Sequence, residues 1–131
     1  MTVVDASAMV ELLLGTSTGE SCRERLLRDG EDLCAPHLLD VEVAQVLRRY
    51  ASKREITPER GAEALADLAA MSVMRYPHGP LLERAWDLRD SASVYDAVYL
   101  ALAEALDAPL VTCDARVSRA HGHRARVEVV R

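Results

Sequence analysis

Apolar residues along the chain fall into short continuous runs separated by stretches where they recur every three or four positions. The continuous runs are Thr2-Val3-Val4, Asp32-Leu33-Cys34-Ala35, Ser72–Tyr76, Pro109-Leu110-Val111-Thr112-Cys113 and Val127-Glu128-Val129-Val130, each β-prone and too short for a helix. Between them the pattern predicts helices over Ala8–Leu14, Cys22–Leu27, Leu38–Ala51, Pro58–Met71, Leu81–Leu88 and Ser93–Leu106, and a helical turn at Arg116–Ala120. The Gly15–Gly19 turn cluster closes the first helix, and Thr57-Pro58 opens the fourth with an N-cap followed by proline at the first helical position. Ser93–Leu106 is apolar around most of its circumference, as expected of a helix buried in the core. Strands alternating with helices predict an α/β domain with a mostly parallel central sheet.

Composition narrows the class. With 131 residues, 50% apolar and 28% charged, the chain reads as one domain over 1–131. A chain of this length buries roughly two thirds of its unfolded surface without help from disulfides or metal. No apolar stretch approaches the ~18 residues of a membrane span, and Met1–Asp5 does not open a signal peptide. Three cysteines without ligand spacing (Cys22, Cys34 and Cys113) fit a reducing cytosol, so a cytoplasmic location is expected.

The net charge of −5 argues against a polyanionic partner, but its distribution argues the other way. Segments 1–42 and 61–114 carry −6 each, whereas 43–60 and 115–131 carry +3 and +4. Fifteen of the sixteen basic residues are Arg, the side chain suited to bidentate phosphate contacts. A GC-rich genome gives the same bias, so charge alone leaves nucleic acid open.

Four acids carry the candidate chemistry. Asp5 and Asp114 each close a predicted strand, and the carboxyl ends of parallel strands share one edge where ligands bind. Each is also an ordinary turn or N-cap residue. Asp96 lies in the first turn of the nearly all-apolar Ser93–Leu106 helix. There it completes a capping-box pattern with Ser93, and a cation accounts for a carboxylate at such a position. Glu42 lies beside Leu39, Val43 and Val46 on the inward stripe of its helix, while Asp40 faces away. Clustered carboxylates raise one another's pKa unless a divalent ion neutralises them, and an all-oxygen set favours Mg²⁺ or Mn²⁺. Competing signals are thin: no zinc spacing, nucleophile elbow, Walker A or GxGxxG sequence occurs, and His121-Gly122-His123 reads as a polar loop. Trp86 reads as a packing anchor.

Val3-Val4-Asp5-Ala6-Ser7-Ala8, the Pro36–Glu42 stretch, Ser93–Ala103 and Leu110–Asp114, taken in order, resemble the PIN-domain ribonucleases, specifically the VapC-type toxins of bacterial toxin–antitoxin pairs. The resemblance implies a three-layer α/β/α sandwich and Mg²⁺- or Mn²⁺-dependent cleavage of RNA. It also implies a homodimer held inactive by a cognate antitoxin. It maps catalytic roles onto Asp5, Glu42, Asp96 and Asp114, with Thr112 as an accompanying hydroxyl and Asp5, Asp96 and Asp114 as the metal ligands. Arg48, Arg49 and Arg116 are the candidates for phosphate contact. Two other readings remain: a catalytically silent interaction domain whose acids bind a partner's Arg residues, and a phosphoryl-transfer enzyme acting on a small substrate.

Overall fold

The computed structural model describes residues 1–131. Five strands, β1 (Thr2–Val4), β2 (Leu33–Pro36), β3 (Val73–Tyr76), β4 (Leu110–Thr112) and β5 (Val127–Val129), form one sheet in the order β3-β2-β1-β4-β5. All four pairings are parallel, so the expected mostly parallel sheet is wholly so. The central strands β1, β2 and β4 are buried on both faces, which is why they read as unbroken apolar runs.

Seven α-helices connect the strands: α1 (Ala6–Leu14), α2 (Ser17–Leu26), α3 (Leu38–Ser52), α4 (Pro58–Ala70), α5 (Leu82–Asp87), α6 (Val94–Leu106) and α7 (Ala115–Ser118). The chain steps outward from β1 to β2 to β3, then returns past β1 to β4 and continues to β5. Right-handed crossovers put α1–α4 on one face and α5–α7 on the other, giving the three-layer sandwich. Helix contacts follow that division: α1 packs on α2, α3 and α4, whereas α5 packs on α6 and α6 on β1, β2 and β4. The step direction reverses between β1 and β4, the topological switch point where open α/β sheets bind ligands.

Three expectations change. The Gly15–Gly19 cluster is not a loop. Gly15 alone makes the turn at φ 66°, and Thr16 caps α2, its hydroxyl accepting from Gly19 N–H at 2.9 Å. α2 therefore starts five residues before the expected Cys22. Gly19 sits against α1 so closely that a Cβ there would lie 2.1 Å from the Glu11 carbonyl oxygen. Trp86 is no packing anchor: it is 62% exposed, with the Arg89 guanidinium 5.0 Å from its ring centroid. On the short α5 it is Ala85, with Leu88 just beyond the helix, that faces the core. Finally, α6 is buried continuously only from Ala97 to Ala103, and its first turn projects past the sheet edge with Val94 and Tyr95 exposed.

The candidate acidic crevice at the switch point

Asp5 ends β1 and caps α1. Its Oδ1 accepts from Ala8 N–H at 3.1 Å and from the Ser7 hydroxyl at 2.6 Å, and its Oδ2 accepts from the Thr112 hydroxyl. Those three bonds occupy three of the roughly four acceptor directions of a carboxylate and leave one on Oδ2. Thr112, fully buried at the end of β4, also accepts from Asp114 N–H at 3.0 Å, and Ser7 accepts from Cys113 N–H at 2.9 Å. The ends of β1 and β4, 107 residues apart for the Thr112–Asp5 bond, are thus locked across the switch point.

The other acids reach the same place from neighbouring elements. β2 ends at Pro36, and the second turn of α3 carries Glu42. α6 descends onto the sheet from this edge, placing Asp96 in its first turn. Ser93 caps α6 by accepting from Asp96 N–H at 3.1 Å, so the capping bond forms while Asp96 still lines the crevice. Asp5, Glu42, Asp96 and Asp114 line one crevice of about 620 Å³, together with Arg49 and Arg116. Arg48 is exposed on α3 and does not line it. Asp40 pairs bidentately with Arg75, at 2.8 and 2.9 Å, away from the crevice.

Electrostatics separates the four. Burial is the main cause raising the carboxyls of Asp5, Glu42 and Asp96; Asp96 adds to it at Asp5 and Glu42, and Asp114 adds to it at Asp96. Asp114 goes the other way: the Arg116 guanidinium, 2.8 Å from its Oδ2, holds its carboxyl below the usual range. No three His, Cys, Asp or Glu side chains close on a common point in this conformation. The donor set fits a hard divalent cation: oxygen only, crowded with negative charge, with a free acceptor direction on Asp5.

Sequence reasoning missed Ser7, Glu11, Tyr99 and Cys113 on the crevice wall. Helical spacing could have found three of them, since Ser7 and Glu11 share a face of α1 and Tyr99 follows Asp96 by three on α6. Cys113 lies 3.4 Å from Cys22 (Sγ–Sγ), a contact between residues 91 apart that no sequence spacing reveals.

A family model described as PIN domain matches residues 2–122. Among curated relatives, Ribonuclease VapC12 of Mycobacterium tuberculosis is 41% identical over 130 residues, covering 99% of both chains. Ribonuclease VapC1 of the same organism is 43% identical over 130 residues, covering 98% of this chain and 97% of its own. Among solved structures, the sarcin-ricin loop cleaving toxin VapC20 of M. tuberculosis superposes with a TM-score of 0.71 at 17% identity, over 95% of this chain and 97% of that one. VapBC2 of Rickettsia felis, bound to a DNA fragment from its promoter, gives 0.71 at 12% identity, over 99% and 98%. At those identities the structures speak for the fold alone, and the sequence matches speak for the lineage: the chain belongs to the PIN-domain family and, within it, to the VapC ribonucleases.

Proposed function

We propose that this protein is a divalent-metal-dependent endoribonuclease and the toxin half of a toxin–antitoxin pair, acting in the cytoplasm. The observation that carries the reading is the convergence of Asp5, Glu42, Asp96 and Asp114 on one crevice at the switch point. Asp5, Asp96 and Asp114 would hold Mg²⁺ or Mn²⁺, which when bound supplies the positive charge that makes the cluster tolerable and acidifies an attacking water. Thr112 and Ser7 fix the Asp5 carboxylate. Glu42 has its carboxyl raised by burial and is the proton acceptor for that water, whose attack at phosphorus leaves 5′-phosphate and 3′-hydroxyl ends. Arg49 and Arg116 line the crevice and are the cations for the RNA backbone, with Arg116 able to exchange Asp114 for a phosphate because it is exposed.

The relatives' names support RNA as the substrate, and the VapBC2 assembly supports an antitoxin partner. Leu38 and the exposed Val41 and Tyr95 give the crevice an apolar rim suited to an antitoxin segment. A homodimer is proposed on the family resemblance. Purified protein incubated with RNA and Mn²⁺ should cleave it, lose cleavage on chelation, and lose it again in Asp96→Asn with the fold intact. Cleavage that survives chelator overturns the metal's role, and a fully active Asp96→Asn removes that residue from the mechanism.

A further inference from the structure

Three side-chain polar atoms are buried without a hydrogen-bond partner, and only one of them, the Tyr99 hydroxyl, lies on the crevice. Tyr99 is 3% exposed, so bulk solvent does not reach it, and leaving a buried hydroxyl unmatched is costly. One turn along α6 from Asp96, it shares the wall that faces Glu42 from α3. Glu42 has the complementary need. Burial and the charges of Asp96 and Asp5 all raise its carboxyl, and the Tyr99 hydroxyl alone opposes them, although no bond of full geometry is closed between the two. Burial and the surrounding acids also hold Tyr99 protonated far above neutral pH, so it can serve that carboxylate only as a donor.

We propose that Tyr99 is a positioning residue for Glu42: its hydroxyl donates to one carboxylate oxygen, fixing the rotamer and leaving the other oxygen to face the attacking water. The inference rests on the ribonuclease reading of the crevice. It differs from a packing role, which a phenyl ring would fill equally well, and from a contact with an RNA phosphate, which would be independent of Glu42.

The test uses the full chain with Tyr99→Phe, Glu42→Ala and the double variant, assayed on RNA with Mn²⁺. Tyr99→Phe keeps the buried ring, so the variant should still fold cooperatively, as a thermal melt will show. Its kcat should fall about tenfold or more, the worth of a hydrogen bond to a charged group, with KM little changed. In the Glu42→Ala background the same substitution should cost nothing further. An unchanged kcat, or an equal loss in both backgrounds, overturns the inference, the latter pointing to an RNA contact instead. A second readout needs no cleavage: the Glu42 side-chain carboxyl ¹³C resonance at pH 8 should move in Tyr99→Phe, and an unmoved resonance overturns the contact. Wild-type protein inert toward RNA would sink the ribonuclease reading itself, with the resonance still deciding whether Tyr99 reaches Glu42.

Discussion

Asp5 performs two jobs with one carboxylate, capping α1 through Ala8 N–H while facing the crevice. The two can be separated, because Asn is as good an N-cap as Asp but carries no charge. Asp5→Asn should lose RNA cleavage but keep the cap on Ala8 N–H, giving up only the Thr112 bond to Oδ2, and so should melt above Asp5→Ala. Asp5→Ala should lose cleavage and also stability, by about 1 kcal/mol or more for the missing cap. Thermal melts of the two variants side by side decide it, and equal destabilisation would mean the cap contributes nothing. At this scale the sequence was informative about which acids meet: Asp5, Glu42, Asp96 and Asp114, out of place beside apolar runs, all line the crevice, whereas Arg48 does not. It was silent on Ser7 and Tyr99, whose importance comes from what their hydroxyls meet across the fold.

At the scale of elements, the α1–α2 pair depends on the bare backbone of Gly19. Gly19→Ala forces its new methyl into the Glu11 carbonyl, so the helices must part, at a cost of roughly 1–3 kcal/mol read by chemical denaturation. The joint between α5 and α6 is ionic. Arg84 grips Glu104 through two bonds of 2.8 and 3.0 Å, and Arg124 N–H adds a third at 2.7 Å, so the Glu104 carboxyl is lowered. A lowered carboxyl contributes stability above the unfolded-state value near pH ~4, lost as pH falls through the folded-state value. Glu104→Gln should therefore be less stable than wild type at pH 7, with the gap narrowing on acidification below about pH 4. A gap independent of pH would show that shape, not charge, holds the joint.

The strand runs and long helices were legible because each is buried against its neighbours on a fixed period. The start of α2 was not, since its composition is polar and its position is set by Thr16 and by the close approach of α1. Nor was the exposure of Trp86, because a six-residue helix offers too few turns for period to fix which side faces in.

For the whole molecule, the governing feature is the reversal of strand order between β1 and β4, which gathers side chains from both ends of the chain onto one edge. If the crevice takes a divalent ion, ligand linkage requires that Mn²⁺ raise the melting temperature of wild type, while Asp96→Asn should show little or no rise. Identical shifts in both proteins would place the ion elsewhere.

That gathering of like charges has a bearing on persistence as well as on cutting. Three carboxyls held above their ordinary values mark a region the fold tolerates rather than favours. If the crevice takes a divalent ion, molecules made where such ions are scarce should open more readily and be degraded sooner than those made where ions are plentiful. The abundance of the protein would then follow the ion supply before a single strand of RNA is cut.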